Sequence, residues 1–234
     1  MTENESLFRL ENLHRYYVNK AEIVKAIDGI DLTINSGEFV VILGPSGSGK
    51  TTLLNLLAGL DKTTTGSIYF NGQDVSQLSD SELCHIRQFD IGIIFQFYNM
   101  HPAFNVRENV EYPMLISKVP REKRRKRASN LLQRLGVYEK RESLPSELSG
   151  GEKQLVGIAR ALTNDPTVII ADEPTGNLDS ENAASVIEIL LTINREGKTI
   201  VMVTHDETLV KEEMRVLTLV NGKIRTHGAD STGP

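Results

Sequence analysis

The stretch FVVILGPSGSGKTTLLNLLAG, Phe39 to Gly59, decides how this chain is read. Five apolar residues, Phe39–Leu43, have the run of a buried strand. A glycine loop follows, and KTTLLNLLAG reads as a helix that stops at Gly59. Between strand and helix, Gly44 to Thr51 fits G-x-x-x-x-G-K-[ST], in the setting that gives this pattern its meaning. The chemistry asks for these residue types. Gly47 and Gly49 let backbone N–H groups wrap phosphate oxygens without a side-chain clash. Lys50 brings a point charge, and Thr51 offers a hydroxyl to Mg²⁺, a cation that prefers hard oxygen ligands. A Gly/Ser-rich turn that matches by coincidence is the bland alternative, and the flanking elements weigh against it.

Working outward, two Asn-Gly pairs, Asn71-Gly72 in IYFNGQDV and Asn221-Gly222 in TLVNGKI, predict hairpins. Ser79-Asp80-Ser81-Glu82 predicts a capping box that opens a short helix. Residues from about 97 to 163 read mostly helical. Val168–Ala171 and Thr199–Thr204 read as buried strands with a helix near Ser180–Arg195 between them, an order that implies a parallel sheet with crossovers. The polar end, HGADSTGP, reads as a flexible tail over 227–234.

A second acidic signal says what happens to a bound nucleotide. In VIIADEP, Val168 to Pro174, an apolar strand ends in Asp172 and Glu173 at the sheet edge where α/β proteins bind ligands. Asp172 would support a Mg²⁺ shell, and Glu173 would orient and polarise an attacking water. A strand ending in a surface acid is the plain alternative. A third stretch, LPSELSGGEKQLVGIARAL, places Ser149-Gly150-Gly151 where a loop opens a helix. Taken alone, it is an ordinary helix start.

With these stretches in hand, the chain resembles an ATP-binding cassette ATPase, the nucleotide-binding subunit of an ABC transporter, over residues 7 to about 225. GPSGSGKT resembles the Walker A motif, VIIADE the Walker B motif with its following glutamate, and LSGGE the signature. IIFQ, GNLD and VTH resemble the Q-loop, the D-loop and the switch histidine, with Gln96, Asp179 and His205 at the defining positions. All six stand in the family's order.

The resemblance implies an α/β fold: a P-loop NTPase, RecA-like core with a parallel sheet, an antiparallel β subdomain and an inserted α-helical subdomain at about 97–163. These form one domain over residues 1–226. It implies ATP and Mg²⁺ as ligands. Gly44, Pro45, Ser46, Gly47, Ser48, Gly49, Lys50, Thr51 and Thr52 would hold the phosphates, and Tyr17, with Tyr16 as the fallback, would stack on the base. Thr51, Gln96 and Asp172 would hold the metal. Glu173, His205, Gln96 and Lys50 would act in hydrolysis.

It also implies an ATP-induced head-to-tail homodimer. Ser149, Gly150, Gly151 and Glu152 of one copy, with Asp179, would close over the nucleotide of the other, the positive end of a helix dipole facing the γ-phosphate. Stacking tolerates any base, so ATP over GTP is not legible here. The signature carries Glu152 where glutamine is commonest, and Leu155 stands where an arginine is usual.

Several stretches look most like the ATPases of lipoprotein release, macrolide export and cell division, which serve force-transmitting membrane proteins. Importer ATPases are near relatives, and an assembly ATPase without a membrane partner is a further alternative. The composition fits this frame. Net charge is −5, without the basic bulk of a nucleic-acid binder. The single cysteine, Cys84, leaves no intramolecular disulfide. The start has no signal-peptide pattern and no apolar run is long enough for a bilayer, so a membrane role would come through an integral permease subunit, with this chain peripheral on the cytoplasmic face.

Two stretches stay open. Phe95 to Met114 is rich in Phe, Tyr and Met, and either fills a small core or, through Tyr98, Met100 and Phe104, grips a helix of a membrane partner. REKRRKR, Arg121 to Arg127, reads by default as a solvated helix face, with anionic lipid as an alternative and nucleic acid a weaker one.

Overall fold

The computed structural model describes residues 6–19 and 22–226; the expected tail, 227–234, lies outside the described residues. Along the chain the elements are β1 (Ser6–Asn19), β2 (Glu22–Asn35), β3 (Phe39–Leu43), α1 (Lys50–Leu57), β4 (Thr65–Phe70), β5 (Gln73–Asp74), α2 (Asp80–Phe89), β6 (Ile91–Ile94), α3 (Val106–Ile116), α4 (Arg121–Arg134), α5 (Gly150–Ala161), β7 (Val168–Asp172), α6 (Ser180–Arg195), β8 (Thr199–Thr204), β9 (Arg215–Val220) and β10 (Lys223–Thr226). They divide into two compact units, one of residues up to Leu83 together with those from Thr199 on, the other Cys84–Lys198.

The first unit holds two sheets. In one, β2, β1, β4 and β5 run antiparallel in that order, with Phe8, Leu10 and Leu13 buried alongside Ile27, Ile30 and Ile34. In the other, β3 pairs in parallel with β8 on one side and β9 on the other, and β10 closes back on β9. Every residue of β3 and β8 is buried, as expected of strands covered on both faces. Both Asn-Gly pairs make the hairpins their sequence predicts: Asn71 and Gly72, and Asn221 and Gly222, all have positive φ, which a tight two-residue turn requires.

The second unit carries β6 and β7 in parallel and the helices α3 to α6. The stretch 97–105 is not helical; α3 begins only at Val106. Buried Asn109 organises that stretch. Its Oδ1 accepts from the His101 N–H, and its Nδ2 donates to the carbonyls of Phe104 and Asn105. Asn105 then caps α3 through a box with Glu108. Val106, Val110 and Met114 of α3 pack in the core with Ala128 and Leu132 of α4 and Ile158 of α5. The predicted box at the start of α2 is present as well: the Ser79 N–H donates to Glu82 Oε2 at 2.8 Å.

Candidate functional site

In the first unit the loop between β3 and α1 is built to hold an anion. Gly49, at the N-cap of α1, has φ of 106°, and a Cβ there would lie 2.2 Å from the carbonyl oxygen of Ala26. No side chain fits, so the backbone itself forms the wall of the loop. A Cβ on Gly44 would meet the Leu219 carbonyl oxygen at 2.3 Å. The Gly222 N–H donates to the Ser48 carbonyl at 3.0 Å, so the β9–β10 hairpin clamps the far side.

Lys50 is buried. Its ammonium donates to the carbonyls of Gly44 and Pro45 at 2.7 and 3.1 Å, which brings its charge back over the loop. The start of α1 has no side-chain cap and no acid in its first turn. No carboxylate of the helix's own first turn therefore offsets the positive end of its dipole. Ser48 Oγ is buried with no hydrogen-bond partner among the described residues. A phosphate group fits this cradle on charge, donor supply and the absence of side-chain bulk.

His205 belongs to the same end of the same sheet. Leu43 pairs with Thr204 in the parallel register of β3 and β8, so the phosphate loop and His205 leave neighbouring strands side by side. The two tyrosines differ in what they have free. Tyr16 donates its hydroxyl to Asp28 at 2.5 Å, has its hydroxyl 2.8 Å from the His14 ring, and lies beneath the Lys25 ammonium. Tyr17 is more exposed, with the Arg15 guanidinium 4.4 Å over one ring face and its hydroxyl donating to Asp61 at 2.7 Å. Asp61 also takes two hydrogen bonds from Arg15. A ring anchored at its hydroxyl and covered on one face by a guanidinium is what sets Tyr17 apart from Tyr16.

In the second unit, β6 and β7 pair Ile94 with Ala171, so Gln96 and the acids Asp172 and Glu173 leave adjacent parallel strands at one end. Glu173 sits in the left-handed region at φ of 45°, a conformation a non-glycine residue holds only when its surroundings enforce it. The surroundings are visible: the Gly176 N–H donates to the Glu173 carbonyl at 3.1 Å, and Asn177 Nδ2 donates to the Gln96 carbonyl at 2.8 Å. Asn177 thus ties the loop after β7 to the loop after β6. Asp179 caps α6, accepting from the backbone and side-chain nitrogens of Asn182 at 2.8 and 2.7 Å. These bonds, the backbone one foremost, hold its carboxyl below the usual range.

Ser149 is the N-cap of α5, in a capping box with Glu152. The Ser149 N–H donates to Glu152 Oε2 at 2.8 Å and is the first cause of that carboxyl's lowered pKa; Lys140 adds an ion pair at 3.4 Å. The acid at position 152 therefore does the work of a cap. The glycines beside it are set by packing. A Cβ on Gly151 would lie 2.6 Å from Asn182 Oδ1, and one on Gly150 would lie 3.3 Å from the Tyr98 hydroxyl.

Two residues that the sequence did not single out join these pieces. Asn177 is one. The other is Arg160, on α5, which donates to the carbonyls of Tyr98 and Asn99 at 2.5 Å each. Burial presses its pKa down. Tyr98 and Asn99 have positive φ, so Arg160 clamps a strained segment two residues past Gln96. An arginine inside the apolar periodicity of α5 is the one sequence signal that could have flagged it. The structure also turns Tyr98 inward, toward the helix start at Gly150, where the sequence left open a role for it on a partner surface. Phe97, 71% exposed, faces out, as does Tyr112.

The family model described as ABC transporter matches residues 27–176. The chain is 43% identical to a lipoprotein-releasing system ATP-binding protein, LolD 1, of Rhodopseudomonas palustris, over 93% of this chain and 98% of the other. It is 43% identical to a macrolide export ATP-binding/permease protein, MacB 2, of Yersinia pestis, over 95% of this chain. It spans only 33% of that protein's length. Among solved structures, a dimeric ATP-binding cassette in a post-hydrolysis state, bound to ADP and phosphate, superposes with a TM-score of 0.86. The two are 39% identical over 93% of this chain and 96% of the other. A second solved structure, cbiO1 of Clostridium perfringens, part of the ABC transporter complex cbiONQ, reaches 0.83 at 31% identity, over 94% of this chain and 87% of the other.

Proposed function

Since the chain belongs to the ABC transporter family and is one of its ATP-hydrolysing cassettes, we propose that it works as half of an ATP-closed, head-to-tail dimer that drives an integral membrane partner. The observation that carries this reading is the pairing of two unlike anion sites in one chain. The loop around Gly49 and Lys50 is a closed cradle with its own lysine, whereas Ser149-Gly150-Gly151 is an open helix start held by a capping box and by packing against Asn182. A cradle that already encloses its phosphates leaves the second site for the nucleotide of another copy.

In this reading the amides of residues 44–52 and Lys50 bind the phosphates and Tyr17 carries the base. Thr51, Gln96 and Asp172 would hold Mg²⁺, which when bound neutralises charge on the phosphate oxygens. Glu173, fixed in its left-handed conformation, orients and polarises the attacking water, and His205 donates toward the γ-phosphate. Loss of that phosphate removes the contacts of Ser149, Gly150 and Gly151 in trans and releases the dimer, so the nucleotide biases two states of the assembly.

The similarity to the lipoprotein-release and macrolide-export proteins supports a partner of the exporter, force-transmitting kind, with the chain peripheral on the cytoplasmic face of the membrane. Exposed Phe97, one residue after Gln96, suits a contact that reports on the nucleotide.

Mixing two defective chains tests the trans arrangement. A Lys50→Ala chain and a Ser149→Arg chain form a heterodimer in which one composite site carries both lesions and the other carries neither. ATP-dependent dimerisation and turnover, absent from each variant alone, should return in the mixture. If mixing restores nothing, the signature serves its own chain's nucleotide and the sandwich reading fails.

A further inference from the structure

In the second unit, α4 carries seven cations and one carboxylate in a chain whose net charge is −5. Three of the cations are committed. Arg124 lies 3.5 Å from buried Glu111 and donates to the Val119 carbonyl. Arg127 donates to the Leu162 carbonyl, and Arg134 makes two hydrogen bonds to Glu196. The other four, Arg121, Lys123, Arg125 and Lys126, are exposed and have no ion pair or hydrogen bond among the described residues. A solvated helix face ordinarily mixes its charges evenly; on this one Glu122 is the single carboxylate among the four free cations.

The neighbouring surface is apolar. Tyr112, Leu115 and Ile116, in the last turns of α3, are 44%, 51% and 55% exposed. A shallow groove of about 220 Å³ lies between the two helices and is lined by Tyr112 and Leu115 as well as Arg121 and Arg125. Glu111, on its floor, is spent on Arg107 and Arg124, at 3.5 Å from each.

We propose that this α3–α4 face is a contact surface for an anionic phospholipid bilayer. The four free cations would meet headgroup phosphates, and Tyr112, Leu115 and Ile116 would settle at the edge of the acyl region. Cations beside exposed aliphatic and aromatic side chains are the composition that interfacial binding needs. A nucleic acid would use the cations but gain nothing from exposed leucine and isoleucine. The inference does not depend on the dimer or on hydrolysis, because it needs neither nucleotide nor permease.

Flotation of the purified chain, without nucleotide, on vesicles of phosphatidylglycerol and phosphatidylcholine tests it, with pure phosphatidylcholine as control. The chain should bind the anionic vesicles and lose them as salt is raised. Each cation removed should lower partitioning about fivefold, so Arg121→Gln/Lys123→Gln/Arg125→Gln/Lys126→Gln should lower it several hundredfold. Tyr112→Ser/Leu115→Ser should lower it less and leave the salt dependence in place. If the quadruple variant melts below the parent, Arg121→Glu/Lys126→Glu takes its place and should lose binding as fully. Equal binding to neutral vesicles, or unchanged binding by the charge variants, overturns the proposal. So does displacement by inorganic phosphate at constant ionic strength, which would mark a phosphate pocket. Tighter binding of duplex DNA through the same four residues would mark a nucleic-acid surface and overturn it as well.

Discussion

Replacing Arg160 with alanine should weaken the second unit by an amount its contacts allow to be worked out. The guanidinium makes two hydrogen bonds of 2.5 Å, to the carbonyls of Tyr98 and Asn99. Bonds from a charged donor contribute about 1.5–3 kcal/mol each, and the exposed setting of Asn99 argues for the lower end, about 3 kcal/mol for the pair. Burial of the cation opposes this, as its lowered pKa indicates, and its removal returns about 1 kcal/mol. The net loss is then about 2 kcal/mol. In a chain of this size each kcal/mol moves the melting temperature by about 2–4 °C, so Arg160→Ala should melt about 4–8 °C lower. Calorimetry of the purified chain reads this directly. Arg160→Lys keeps the charge but not the planar fork, and should recover about half of the loss. Because the clamped residues are strained and follow Gln96, basal ATP hydrolysis should fall further than the fraction unfolded accounts for. An Arg160→Ala chain melting within about 1 °C of the parent, or a lysine variant no better than alanine, would refute the clamp.

Gly49→Ala places a methyl 2.2 Å from a backbone oxygen and should weaken binding of a fluorescent ATP analogue at least ~10²-fold. Gly37→Ala, at a φ of 78° with open space around it, carries the conformational cost alone, about 1–2 kcal/mol, and should leave affinity unchanged; equal affinity in the two variants would disprove the steric argument. Glu152→Gln keeps an oxygen to cap α5 and so should preserve turnover. Because the folded-state pKa of Glu152 lies below its ordinary value of 4.5, its stabilisation is present above that value and lost as pH falls through the folded pKa. The parent's advantage over the variant in unfolding experiments should therefore shrink on acidification in that range, and an advantage constant with pH would remove the carboxylate from this role.

Much of the fold and site was legible because it is local. The phosphate loop needs only a strand, three glycines, a lysine and a helix within about twenty consecutive residues, and each carries its own backbone demand. The Asn-Gly hairpins and the box at Ser79 are likewise fixed by neighbours no more than three positions apart. The acids after β7 could be placed at a sheet edge because an apolar run must end where the strand leaves the core.

What only the tertiary structure decided depends on pairs far apart in sequence. The clamp of Arg160 on Tyr98 and Asn99 spans about sixty residues, and the link from Asn177 to Gln96 spans more. Nothing in the spacing of an arginine on an amphipathic helix says which carbonyl it will meet. The placing of the Tyr98 hydroxyl beside Gly150, the seating of Gly151 against Asn182 and the different partners of Tyr16 and Tyr17 follow from the same cause. Neighbouring side chains of like chemistry are separated only by what the rest of the chain packs around them. Sequence therefore determined which chemistry this protein carries, while packing between distant segments decided which residues hold that chemistry in place.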